Sequence, residues 1–187
     1  MIKILEKDNE KIKIEVSNIN PAIAAMIRRA IIAEIPTLAI ETVKIIKNDS
    51  VLRDEILANR LGLIPLTFDK NKVKKGKYNV KLFIKKKGGG YVYTKDMISE
   101  NSEVVPMYDN IPITYLNEND ELEIECETEV GFGKMHAKWQ AGNCGYYYSN
   151  DKFVFNIETT SFYKPEELFS EALDVIIKKL EDLEKSI

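Results

Sequence analysis

The sequence is short of the residues that build metal centres, disulfide frameworks and most catalytic sites. Its only cysteines are Cys126 and Cys144, too few for a disulfide framework or for four thiolates around a metal ion. Its one histidine, His136, has no neighbouring cysteine, and structural zinc wants four ligands. No run of about 18 apolar residues is present, so no membrane span is expected. Residues Met1-Ile2-Lys3-Ile4-Leu5 lead straight into strand-like alternation and not into the charged-then-apolar pattern of a signal peptide. A net charge of −3 gives no global pull toward nucleic acid, so any such contact has to be local. These absences together place the chain, as an expectation, in a reducing cytoplasm. What is present suits a soluble globular protein. The hydrophobic share is 44% and the charged share 30%, in 187 residues that suffice for one substantial domain or two small ones.

Residues 1–16 read as a hairpin. Ile2 and Ile4 alternate with Lys3, a turn forms at Lys7-Asp8-Asn9-Glu10, and Ile12, Ile14 and Val16 alternate with Lys13 and Glu15. Asn20-Pro21 then opens a helix, a good N-cap followed by proline at the first helical position, and Pro36 ends it near Ile35. Ile23, Met26, Ile27, Ala30 and Ile31 form one apolar stripe, yet Ala24, Ala25, Ile32 and Ile35 make the other faces apolar too. Such a helix needs cover on more than one side. It is either central to its own domain or shared with a partner chain. Leu38 to Ile46 reads as a strand, and a short helix capped by Ser50 should run through Leu61 to stop at Gly62. From residue 66 to about 150 come short strands, Lys-rich turns, Gly88-Gly89-Gly90 and many tyrosines, the pattern of an inserted β-rich unit. Phe153, Phe155, Ile157 and Thr159 restore alternation. A last helix follows, with Pro165 near its start and Glu166 and Glu167 at its positive end. Within it Phe169, Leu173, Ile176, Leu180, Leu183 and Ile187 fall at heptad spacing, which points to helix-on-helix pairing, against the plainer reading of a helix docked on its own sheet.

The candidate chemistry is thin. A Cys144–His136 nucleophile pair is conceivable, but no G-x-S-x-G turn or comparable arrangement supports it. Trp139 and Lys138 suit a partner-docking loop better, since aromatic and basic anchors favour interfaces. Nine lysines between Lys70 and Lys87 could read phosphates, but they are more simply the solvated face of a hairpin. The carboxylates from Glu118 to Glu129 alternate with Leu122, Ile124 and Cys126, so they lie along a strand face and do not converge on calcium. Glu34 sits by the first helix's apolar stripe, where it either answers a basic group or emerges at the helix end.

Three blocks of the chain resemble one family, in that family's order. Asn20 to Ile35, with Ile27-Arg28-Arg29-Ala30 at its core, resembles the first helix of the alpha subunits of cellular RNA polymerases. Leu52-Arg53-Asp54-Glu55-Ile56-Leu57-Ala58-Asn59-Arg60-Leu61-Gly62-Leu63-Ile64-Pro65-Leu66 looks like the signature shared by the larger alpha-like (D-type) subunits of archaeal polymerases and the eukaryotic third-largest subunit, relatives of the bacterial alpha N-terminal domain. His136-Ala137-Lys138-Trp139 matches a third block, and the closing strand and helix fit the rest. The resemblance implies an α+β fold. Its discontinuous dimerisation domain, a sheet plus two long helices, comes from 1–48 with 151–187, and a β-rich domain over 49–150 is inserted. It implies a non-catalytic scaffold of a nucleotidyltransferase complex that carries no active site or cofactor of its own. The chain would pair with the small alpha-like (L-type) subunit through Ile23, Met26, Ile27, Ala30, Ile31, Phe169, Leu173, Ile176, Leu180 and Leu183. It would meet the largest and second-largest subunits through Arg28, Arg29, Asp54, Glu55, Asn59, Arg60, His136, Lys138 and Trp139. Small polymerase subunits would be further partners, with contact to DNA indirect at most. Many archaeal relatives add a cysteine-rich iron–sulfur domain and eukaryotic ones a four-cysteine zinc site. The stretch from Cys144-Gly145-Tyr146 to Phe153 has no room for the former, and Lys85 to Tyr93 has no cysteine for the latter, so a metal-free and cluster-free version is expected. A free-standing homodimeric binding module is the alternative, and it predicts a stable homodimer where a scaffold lacking its partner would be poorly soluble.

Overall fold

A computed structural model describes residues 1–186. In chain order it forms β1 (Ile2–Lys7), β2 (Lys11–Ser17), α1 (Pro21–Ala33), β3 (Pro36–Asn48), α2 (Asp54–Gly62), α3 (Lys70–Lys74), β4 (Lys81–Lys87), β5 (Gly90–Tyr93), β6 (Met97–Ser99), β7 (Pro112–Leu116), β8 (Glu121–Phe132), β9 (Gly142–Ser149), β10 (Lys152–Thr159) and α4 (Pro165–Lys185). This is a mixed α+β chain in two compact units, 1–37 with 132–187 and 38–131. The expected division lay at 48/49 and 150/151.

The first unit is an antiparallel sheet in the order β1-β2-β10-β9, with α1 and α4 packed on it. The register sets Ile12, Ile14 and Val16 opposite Ile157, Phe155 and Phe153, all nearly inaccessible to solvent. Period-two alternation therefore puts one continuous apolar face under the helices. Asp8 makes the β1–β2 turn, its Oδ1 accepting from the Glu10 and Lys11 amides at 2.8 and 2.7 Å. Asn150 and Asp151, both at positive φ, form the two-residue turn of the β9–β10 hairpin, the backbone that matches strand twist. Asn20 caps α1 as its sequence promises, its Oδ1 accepting from Ile23 N at 2.9 Å, but the helix ends at Ala33 with Glu34 as its cap.

The second unit holds a sheet in the order β3-β8-β4-β6 and a β5–β7 ribbon. On β8 the inward Leu122, Ile124, Cys126 and Thr128 are buried, and the outward glutamates stand in a row. Two expectations fail here. Residues 70–87 are not a hairpin: Lys70–Lys74 is a short helix because Asp69 Oδ1 accepts from Asn71 N at 2.8 Å and so caps it, and only Lys81–Lys87 is a strand. Ser50 does not cap α2 either. Its hydroxyl bonds Asn48 Oδ1 at 2.6 Å, and Arg53 occupies the cap position without a side-chain bond.

Candidate functional site

The first unit fills its core with only part of the apolar surface its helices carry. On α1, Ala24, Ile27, Ala30 and Ile31 face inward and are buried. On α4, Leu168, Phe169 and Ala172 do the same, with Phe169 edge-on to Phe155 at 6.0 Å between ring centres. Ile27, Ala30, Ile31 and Phe169, expected to meet a partner, are thus core residues with no free surface to offer, because α1, α4 and the sheet close over them. Leu173 and Ile176 are half-buried. The rest of the expected set stays open to solvent: Ile23 is 41% exposed, Met26 42%, Leu180 55% and Leu183 60%. Ile187 lies outside the described residues. In this unit sequence reasoning missed the exposure of Ile2, Ile4 and Ile177. The strand alternation carries a signal for two of them. Ile2 and Ile4 pair in register with Val16 and Ile14, so they share the core's face of the sheet yet stay uncovered.

The charged residues around these helices are arranged locally. Arg28 and Arg29 are exposed on α1. Arg28 and Ile32 line a cleft of about 580 Å³ with Lys11, Lys13, Asn143 and Glu158. Lys11 is ion-paired to Glu158 at 3.0 Å, which holds that ammonium above its ordinary range, and Lys13 meets Glu6 at 3.4 Å. Glu34 does answer a basic group. Its carboxylate pairs with Lys179 of α4.

The third block is a strut. His136 caps a single turn, Ala137–Trp139, its Nδ1 accepting from Lys138 N at 3.1 Å. Trp139, expected as an exposed anchor, is only 4% exposed, and its carbonyl accepts from the Thr37 hydroxyl at 2.8 Å. Its indole is roofed by the Lys138 ammonium, 4.4 Å from the ring centre. Burial pushes the Cys144 thiol up to about 12, more than the opposing Arg28 charge can offset. Cys126 is likewise pushed up to about 12 by burial, with Glu125 adding to it. Both thiols stay protonated at neutral pH, the opposite of what a nucleophile requires.

In the second unit, α2 presents Asp54, Glu55, Asn59 and Arg60 to solvent over buried Leu57 and Leu61. Asp54 and Glu55 suit the positive end of α2. Arg60 donates to Pro112 O at 2.6 Å and so fastens the helix to β7. Val51, Ile56 and Leu63 beside them are half or more exposed, which the sequence pattern did not single out. A cleft of about 210 Å³ opens among Arg60, Leu63, Ile64, Ile111, Pro112 and Ile113.

Four lysines of the lysine-rich stretch are answered by carboxylates. Lys81 meets Glu125 at 2.7 Å and Glu127 at 3.2 Å, and Lys85 meets Glu123 at 2.9 Å. Lys86 meets Asp96 at 2.7 Å, and Lys72 meets Glu103 at 2.5 Å. Ion pairing of this kind weakens the local field that phosphate binding needs. Among the described residues no group of three or more His, Cys, Asp or Glu is set to hold a metal ion, and no helix is long and apolar enough to cross a membrane.

The family described as the RNA polymerase Rpb3/Rpb11 dimerisation domain matches residues 13–180. The DNA-directed RNA polymerase subunit Rpo3 of Methanocaldococcus jannaschii is 42% identical over 156 residues, 83% of this chain and 79% of that protein. The Rpo3 subunits of Methanosphaera stadtmanae and Thermococcus kodakarensis are 42% and 41% identical, over 79% and 78% of this chain but only 60% and 58% of their own lengths. With a match that runs through both compact units, the chain belongs to the RNA polymerase Rpb3/Rpb11 dimerisation-domain family.

Proposed function

We propose that this chain is the larger alpha-like, D-type component of a cytoplasmic DNA-directed RNA polymerase, acting as a non-catalytic assembly scaffold. One observation carries the reading. Two helices that already fill their own core keep Ile23, Met26, Leu180 and Leu183 some 41–60% exposed. Surface of that kind on paired helices marks a seat for another apolar helix. The partner that fits is the small alpha-like, L-type chain, whose helices would close this seat, with 1–37 and 132–187 as the dimerisation unit. Arg28, Arg29, Asp54, Glu55, Asn59, Arg60 and His136 are the exposed positions proposed to meet the large subunits together with the half-buried Lys138, and the buried Trp139 braces that surface from within. Small polymerase subunits would join the same assembly. The ion pairs at Lys72, Lys81, Lys85 and Lys86 support a contact with DNA that is indirect at most.

Co-expression with an archaeal small alpha-like subunit, followed by size-exclusion chromatography with light scattering, tests the reading. A one-to-one heterodimer that forms only in co-expression supports it. A stable homodimer indifferent to that partner overturns it. In the reconstituted complex, Arg28→Ala with Arg29→Ala should leave the heterodimer intact and weaken capture of the large subunits. Unchanged assembly would return both arginines to ordinary surface charge.

A further inference from the structure

We propose that Glu34 and Lys179 form an interhelical latch that sets where the free half of α4 points, and so shapes the seat for the partner. The proposal rests on the heterodimer reading above.

Glu34 occupies an electrostatically poor position. It caps the C-terminal end of α1, where the helix dipole disfavours a carboxylate, and no acidic residue occurs within Pro21–Ala33. What answers it is the ammonium of Lys179, on a different helix far along the chain. One side of the latch is held rigidly. The end of α1 is closed by Glu34 N donating to Ala30 O at 3.0 Å, and Lys134 N donates to Ala33 O at 3.0 Å. Gly133 also runs so close that a Cβ there would stand 2.1 Å from Ile32 O.

The other side is loose. The N-terminal part of α4 buries Leu168, Phe169 and Ala172, whereas residues 177–186 are exposed throughout. Among the described residues, Lys179 is the last on α4 with an ion pair to another element, and Leu180 and Leu183 lie just beyond it. The pair therefore joins a fixed point on α1 to the segment of α4 that carries the exposed leucines. With the Lys179 side chain 59% exposed, the pair adds little to folding stability. Its effect falls on geometry. It narrows the directions open to the last two turns before a partner arrives, which lowers the ordering cost of association.

The test uses the full chain with the small alpha-like subunit. Glu34→Gln and Lys179→Gln should each weaken the heterodimer by about five-fold, as befits one partly exposed ion pair, without shifting thermal unfolding of the isolated chain. The swap Glu34→Lys with Lys179→Glu should recover most of that loss, which a purely steric role for either residue would not allow. A second readout needs no partner. Spin labels at cysteines introduced in place of exposed Ala22 and Glu184 report the spread of α1–α4 distances, since native Cys126 and Cys144 are buried. Glu34→Gln should broaden that distribution. Wild-type pairing with unchanged affinity and unchanged distances in Glu34→Gln overturns the latch. Failure of the wild type to pair, with broadening still present, supports the latch in the free chain and sinks only the heterodimer reading.

Discussion

Leu180 and Ile27 both lie in apolar stripes at helical spacing, yet an aspartate at each should fail in different ways. Leu180 is 55% exposed, so the free chain gains only part of what burying it can yield. Full burial of a leucine side chain contributes roughly 1.5–3 kcal/mol, which leaves about 1 kcal/mol to be realised when a partner covers it. Leu180→Ala should then weaken the heterodimer by about five-fold. Leu180→Asp adds an unpaired carboxylate to a closing apolar seam, a penalty of about 3–5 kcal/mol, so association should fall by a factor on the order of 1,000. The isolated Leu180→Asp chain should nonetheless fold, losing no more than about 1 kcal/mol from helix propensity and the adverse dipole near the end of α4. Ile27 is only 2% exposed. The same charge there enters the core between α1 and the sheet and should unfold the unit before any partner is met. Thermal unfolding of each free variant, followed by calorimetric titration with the small alpha-like chain, separates the two outcomes. Leu180→Asp pairing as tightly as wild type would refute the seat. An Ile27→Asp chain that melts normally but fails to pair would refute the partition into core and seat drawn above.

Gly133→Ala should destabilise by more than about 2 kcal/mol, because the added Cβ would stand 2.1 Å from Ile32 O and backbone must shift; a melting midpoint within a degree of wild type would contradict that contact. The second unit should lose stability in acid. Hydrogen bonds from Lys47, Lys81 and Lys72 hold Glu121, Glu125 and Glu103 below their ordinary 4.5, so the stabilisation is present above that value and disappears as pH falls through the lowered folded-state values. Urea melts at pH 7 and pH 3.5, with and without molar salt, check this. A midpoint indifferent to both would remove the ion-pair rows from the account.

The division between what could and could not be seen in the sequence follows from the range of each interaction. The hairpin at the start and the Asn20-Pro21 cap are set by neighbours a few residues apart, and they stand in the structure as expected, whereas α1 stops at Ala33, short of Ile35, and α2 takes in Gly62, which was expected to end it. Ser50 misleads because two nearby groups compete for one hydroxyl, and Asn48 wins. Lys70–Lys74 misleads because a run of lysines says less about backbone than the single Asp69 before it. A compact unit that begins at Leu38 divides inside the strand Pro36–Asn48, and strand alternation runs on across such a division without marking it. The proposed docking surface is the deepest case. Periodicity shows which faces of α1 and α4 are apolar, but the core and a partner's seat obey the same 3.6-residue rule. Only packing separates them. Ile27 and Met26 are adjacent in sequence, yet one is 2% and the other 42% exposed, because the sheet lies under the first alone. Trp139 makes the same point in reverse, since an aromatic that reads as an anchor is only 4% exposed, its carbonyl held by the hydroxyl of Thr37 from far along the chain. Residues whose apolarity the chain's own core does not use are therefore the ones to test first for pairing, and on α1 and α4 they include Ile23, Met26, Leu180 and Leu183.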